Sequence, residues 1–254
     1  MKIIIKSIQI VTLFTLLLHS LSTCSQTQIS KIIYKKKNNI TIQSKKKNKA
    51  MDVFLKETFV HMEKLEYVLL FNANVSNFKQ TRKMGNDLEE KSQAINFSKL
   101  LGGGKGVYYT VRGKNKTYHQ KEFESDLYLI SIDNKIDWEL SQEKKKIGKY
   151  VCYKATANDR FIGSSGNVLK KKIIAWYTPE IAFSYGPLKY NGLPGLILEL
   201  ENDKVIFYTK EIHLNMKENI SIEKPEKGIE ISQKRYDSVI KGLATDFRKK
   251  YKRN

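Results

Sequence analysis

A chain of 254 residues with 41% hydrophobic content can bury one substantial core. Its net charge of +20 comes almost wholly from lysine: six of the 46 basic residues are arginine. That balance argues against nucleic-acid recognition, which favours the planar arginine fork, and the two cysteines exclude a disulfide-stapled scaffold. The lysines stand beside Asn and Ile, as in Lys35-Lys36-Lys37-Asn38-Asn39, and read as a solvated surface or one drawn to anionic headgroups.

Lys2 and Lys6 precede an apolar run from Ile8 to Leu18, followed by Leu21-Ser22-Thr23-Cys24-Ser25-Gln26. This is the layout of a secretory signal peptide, and the run is too short for a membrane helix. Residues 1–26 are therefore expected to be a leader and 27–254 a single exported domain of the periplasm or cell envelope. Leu21 to Cys24 also resembles a lipobox, in which Cys24 would be lipidated and anchor an outer-membrane lipoprotein; otherwise Cys24 leaves with the leader. Either way Cys152 is the remaining thiol.

Ile29 to Tyr34 reads as a first strand, continued by Ile40 to Ile42, with the flanking lysine runs expected to be exposed. Met51, Phe54, Leu55, Thr58, Phe59 and Met62 recur at helical spacing over Ala50 to Leu65. Glu66 to Asn72 is a strand; Asn74 to Lys99 is polar and irregular, with a short helix near Asp87 to Gln93. Leu101-Gly102-Gly103-Gly104-Lys105-Gly106 lacks the Ser or Thr and the following helix of a phosphate loop, and reads as a turn. A period of two then marks strands at Val107–Arg112, Thr117–Phe123, Leu127–Ile132, Ile136–Leu140, Tyr150–Ala157 and Val168–Tyr177. Gly195 to Glu201 and Val205 to Leu214 form a further hairpin about Asn202-Asp203, and Ser221 to Gly228 is a loop. Ser232 caps a last helix with an apolar stripe at Tyr236, Val239, Ile240, Leu243 and Phe247. About ten strands and two helices without βαβ alternation predict an α+β, mainly antiparallel domain: a large curved sheet or half-open barrel, with a β-sandwich as the alternative.

No catalytic set emerges from the residue pattern. His61, His119 and His213 are isolated from other ligand-type residues, so no metal and no cofactor are expected. Cys152 lies mid-strand between tyrosines, as a packed thiol does. Glu199 and Glu201 share one strand face roughly 7 Å apart, within the spacing of glycosidase carboxylates, but nothing else marks a sugar cleft. Tyr108, Tyr109, Tyr118, Tyr128, Trp138, Tyr153, Trp176, Tyr177, Phe183, Tyr185 and Tyr190 concentrate aromatic surface in the central strands, as core or as a ligand surface.

Three of the four prolines and three glycines fall between Trp176 and Leu200. Within this stretch Tyr190-Asn191-Gly192-Leu193-Pro194-Gly195-Leu196-Ile197 resembles the GLPGLI family of exported Bacteroidetes proteins. Tyr153-Lys154-Ala155, Ala175-Trp176-Tyr177-Thr178-Pro179-Glu180-Ile181 and Gly186-Pro187 resemble the segments that precede the hexapeptide in that family. Ala182 stands where the family often has Pro, and Gly163 to Lys172 lacks its Arg. The resemblance implies an envelope protein and supplies no activity or catalytic residue. Trp176, Tyr177, Thr178, Pro179, Gly186, Pro187, Gly192, Leu193, Pro194 and Gly195 are the expected motif and binding rim. The expected role is a non-enzymatic ligand- or partner-binding protein, with peripheral or lipid-anchored membrane association. A hydrolase assembled across strands, using Glu199, Glu201 or His213, and an accessory subunit of an outer-membrane transporter are the alternatives.

Overall fold

Alternation of apolar and polar residues builds strands whose apolar face must be covered, and here one very wide sheet is folded around its own cover. The computed structural model describes residues 28–39, 49–81, 92–101, 103–133, 135–163, 166–217 and 220–251. The expected leader with Cys24, the strand expected at Ile40 to Ile42 and most of the helix expected near Asp87 to Gln93 lie outside them.

Twelve strands among the described residues form a single open sheet. They are β1 (Ile29–Asn38), β2 (Glu66–Phe71), β3 (Val75–Gln80), β4 (Val107–Val111), β5 (Lys116–Phe123) and β6 (Asp126–Asp133), then β7 (Glu139–Ile147), β8 (Tyr150–Ile162), β9 (Val168–Thr178), β10 (Leu196–Asn202), β11 (Val205–Met216) and β12 (Ile229–Ser232). Their order is β12-β6-β5-β4-β3-β2-β1-β11-β10-β9-β8-β7. Every described pairing is antiparallel except β12 with β6. The helices are α1 (Lys49–Lys64), α2 (Gln93–Leu100) and α3 (Gln233–Tyr251). The large curved sheet expected from the sequence is present, as one sheet and not as a sandwich.

Registry places Leu200 opposite Ala175 and Ala175 opposite Ala155, so small side chains line one face of β8 and β9. On the other arm Phe78 stands opposite Tyr108, and Tyr108 opposite His119. Tyr34, Tyr67, Phe78, Tyr108, Ala155, Ala175 and Phe207 nevertheless belong to one core cluster, which requires the sheet to curl. Phe59 and Met62 of α1 join that cluster. Tyr236 of α3 packs on Tyr128, Ile130 and Ile132 in a second, smaller one. The Ser232 hydroxyl accepts the Arg235 amide at 3.3 Å, so the predicted cap forms.

Four expectations are corrected. Val75–Gln80 is a strand, although its polar sequence, with Ser76, Asn77, Lys79 and Gln80, hides it; pairing on both sides holds it. Ile229–Ser232 forms a short parallel edge. The strand expected from Ile136 to Leu140 instead runs from Glu139 to Ile147, because Trp138 is held elsewhere, its indole N–H donating to the Asn191 carbonyl at 2.9 Å. Lys36, expected to be exposed, is fully buried on the face shared with Ile32 and Tyr34. Residues 220–228 cross the opposite face of β3–β5: the Asn77 amide donates to the Glu223 carbonyl, Gln120 to the Lys227 carbonyl, and Lys224 lies 4.3 Å from the Tyr118 ring centroid.

The long β9–β10 connection fills the curl. A Cβ on Gly195 would be driven into the Thr178 carbonyl, whereas Gly192, at φ +89°, faces open space. Gly195→Ala is expected to cost about 3 kcal/mol and Gly192→Ala about 1 kcal/mol, measured by urea denaturation.

Candidate functional site

Residues 179–195 leave the sheet after β9 and return to it as β10, the neighbouring strand. Between these points Ile181, Tyr185, Leu188, Tyr190 and Leu193 are all buried within the main core cluster. The path is fixed by backbone bonds: Ile197 N–H to Tyr185 O at 3.0 Å, Leu196 N–H to Ile181 O at 3.1 Å, and Gly192 N–H to Ser184 O at 3.1 Å. The Tyr34 hydroxyl of β1, two strands away in the sheet, donates to the Ile197 carbonyl at 2.6 Å. Thus the segment is a plug on the concave face.

The expected rim residues divide between the plug's two sides. Tyr177, Thr178, Gly186, Pro187, Leu193 and Gly195 are buried; Pro179, Gly192 and Pro194 are exposed. Gly186 lies so close to the Ile197 side chain that no Cβ fits without movement. Trp176 is half-buried, with the Lys145 ammonium 4.3 Å from its ring centroid.

At one edge of the plug is a cleft of about 370 Å³, within the range of small-molecule sites. It is bounded by the end of β6, the connection into β7, β8 and the plug. Asp133, Asp137, Glu139 and Asp159 contribute carboxylates, Lys135 and Lys189 ammonium groups, and Ile132, Ile136, Ala157 and Tyr190 apolar surface.

Asp159 organises the cleft wall. Its carboxylate accepts the Lys189 ammonium at 2.9 Å and the Tyr190 hydroxyl at 2.8 Å, and pairs with Lys171 at 3.6 Å. Burial pushes its pKa up, but Lys189, Lys171 and Tyr190 outweigh that and hold it below the usual carboxylate value. Burial, and then the Asp159 charge, push the Tyr190 phenol well above its ordinary value. The pair joins β8 to the plug.

A second buried polar group lies beneath the glycine-rich loop. The Lys36 ammonium donates to the Leu101 carbonyl at 2.8 Å and the Gly103 carbonyl at 3.2 Å, between the rings of Tyr67 and Phe207. Burial lowers its pKa to about 7. His119, stacked on Tyr108 at 3.8 Å, is held neutral by burial with a pKa of about 3; its Nε2–H therefore donates to the Lys105 carbonyl at 2.9 Å. The loop thus turns carbonyls toward protein donors, the reverse polarity of a phosphate loop, which presents N–H groups.

The remaining candidates are dispersed. Glu199 pairs with Lys145 at 2.7 Å, Glu201 accepts from Asn39 at 2.7 Å, and His213 meets Glu211 at 3.2 Å on the surface. These three are not gathered around the cleft. Cys152 is fully buried, and burial pushes its thiol up to about 11, leaving it unreactive at neutral pH. Among the described residues no group of three or more His, Cys, Asp or Glu could hold a metal ion.

Sequence reasoning missed Asp159, Lys189 and Lys36. A face-by-face count of β1 would have exposed Lys36 behind Ile32 and Tyr34. The meeting of Asp159 with Lys189 and Tyr190 is a tertiary contact without a local signal.

The fold and cleft define an open, mainly antiparallel β protein with a polar pocket beside an internal plug. Residues 164–199, spanning β9, the plug and the start of β10, match a family model described as a protein of unknown function (Porph_ging), a Bacteroidetes family. No curated protein matches the chain significantly. Two solved structures of PNGF-II, in the C2 and P21 space groups, resemble it with TM-scores of 0.48 and 0.49 at 14% and 15% identity. Each comparison covers 84% of this chain and 32% or 33% of the other, so the chain spans about a third of their length.

The Lys36 and Asp159 charges both make stability rise with pH, in two separate windows. A lysine whose folded pKa is lowered carries its burial cost below about pH 7; stability then rises with pH until the unfolded lysine also loses its proton, near 10.5. Between pH 7.5 and 9.5 the wild type should therefore gain up to about 1.4 kcal/mol per pH unit relative to Lys36→Met, measured by urea denaturation. Asp159 has a lowered pKa, so its contribution is present at neutral pH and lost as acid protonates it. Asp159→Asn should cost about 2 kcal/mol at pH 7, a deficit that shrinks below about pH 4 in the same assay.

Proposed function

We propose that the protein is an exported, non-enzymatic binding protein of the cell envelope whose ligand site is the cleft between β8 and the plug. The carrying observation is a preformed cavity of about 370 Å³ with a wall fixed by the Asp159–Lys189–Tyr190 contacts. Such a wall orients a ligand without having to be ordered on binding. The leader-like N-terminus and the resemblance of Gly192 to Ile197 to the GLPGLI family support export.

With Lys189 engaged by Asp159, the remaining lining carries Asp133, Asp137 and Glu139 against Lys135. That excess of acceptors suits a small ligand bearing amino and hydroxyl groups. Glucosamine and spermidine, titrated by calorimetry, are the probes. At least one should bind with a Kd below about 1 mM, and Asp133→Leu/Asp137→Leu should weaken it by about tenfold or more. Absence of binding by both, or binding indifferent to the double substitution, overturns the reading.

A further inference from the structure

We propose that the tip of the β8–β9 hairpin is a docking element for the surface of an anionic lipid bilayer. The proposal concerns a part of the chain outside the cleft lining and does not rest on the binding role assigned there. The hairpin outruns its neighbours: in the registered pairs β7 reaches β8 no further than Glu139 opposite Thr156, and β10 reaches β9 no further than Asn202 opposite Ile173. From Asn158 opposite Lys172 outward, the two strands pair with each other alone.

The projecting end has an ordered composition. Phe161 stands opposite Leu169 and Ile162 opposite Val168, which puts apolar side chains on both faces of the tip. Phe161, Leu169 and Val168 are 37%, 44% and 55% exposed. The turn beyond is closed by Gly163 N–H to Asn167 O at 2.9 Å and Gly166 N–H to Gly163 O at 2.8 Å. Immediately behind the apolar end comes a collar of cations: Arg160 opposite Lys170, then Lys172, all exposed. Of the carboxylates near this level, Asp159 is already paired with Lys171 and Lys189, while Asp203 acts on Lys171 and Glu143, itself paired with Lys154, acts on Lys172, which leaves Arg160 and Lys170 as the collar's outermost cations.

Neither feature helps the hairpin fold. Like charges directly opposite one another destabilise a strand pair, and Phe161, Leu169 and Val168 leave 37%, 44% and 55% of their surface in water, which forfeits much of what burial would give. Both features suit an interface that is apolar beyond and anionic at its edge. Three residues of strand from the collar to the turn reach roughly 10 Å, the depth to which interfacial elements bury their apolar side chains. The collar cations then lie at the level of the lipid phosphates. No helix among the described residues is long and apolar enough to cross a membrane, so attachment through this tip would be peripheral.

The test is flotation of the protein with vesicles of phosphatidylcholine and phosphatidylglycerol in equal parts, and with phosphatidylcholine alone. Binding is expected to the mixed vesicles. Phe161→Ser/Leu169→Ser, which leaves the net charge intact, should weaken it by about tenfold or more. Arg160→Gln and Lys170→Gln should each weaken it by about fivefold. Val168→Trp should add tryptophan emission that shifts to the blue with the mixed vesicles, relative to the wild type under the same conditions. Because the tip pairs only with itself, these variants should keep the wild-type melting transition. Equal binding by the serine double variant would assign the attraction to general surface charge and overturn the proposal. An unshifted emission from the Val168→Trp variant, or no vesicle binding by the wild type, as expected if the tip meets a protein, would overturn it also.

Discussion

The fold depends on how the concave face of the sheet formed by the twelve described strands is covered. A curled sheet that neither closes nor pairs with a second sheet leaves an apolar inner surface exposed to water unless something enters it. Here the cover comes from within the sheet, between two adjacent strands. Residues 179–195 deliver Ile181, Tyr185, Leu188, Tyr190 and Leu193 to that surface, and the buried alanines at 155, 157 and 175 leave them room. Large side chains on one arm and small ones on the other make sense only once the plug is in place. The prolines and glycines of the plug follow from the same constraint. A segment that turns this often while buried needs φ values and close approaches that ordinary residues resist.

Buried polar groups set the plug's position more narrowly than apolar packing could. Tyr34 bonds the Ile197 carbonyl, Trp138 the Asn191 carbonyl, and Tyr190 the Asp159 carboxylate. Each joins the plug or its exit strand to a different part of the chain, and a plug displaced by one residue would leave these groups unsatisfied at a cost well above that of an imperfect apolar contact. Lys36 does the same for the glycine-rich loop, whose Leu101 and Gly103 carbonyls it engages.

Most strands were legible because their alternation survives in the sequence, as in Tyr128, Ile130 and Ile132 on β6, whereas a bulge between Ile197 and Glu199 interrupts the period of β10. The capped C-terminal helix was legible for the same kind of reason. What escaped was set by tertiary partners. β3 carries polar residues yet is paired on both sides, and β7 is a lysine-rich edge where charge discourages association with further strands. The cleft was the least legible element. Its lining comes from β6, the β6–β7 connection, β8 and the plug, and its central residue, Asp159, lies in a strand whose local pattern announces nothing. The motif stretch was visible as a cluster, but its role as interior filling required the curl of the sheet, which no local pattern encodes.

Asp159 also joins features that the chain keeps apart. It stands at the base of the projecting hairpin, opposite Lys171, and its carboxylate holds both Lys189 and Tyr190 of the plug. A displacement of the hairpin base would therefore reach the cleft wall through part-buried charged contacts, which hold more firmly than fully exposed ion pairs. The cleft wall and the base of the hairpin share Asp159, so an occupied cleft and a docked tip would be felt by the same three side chains.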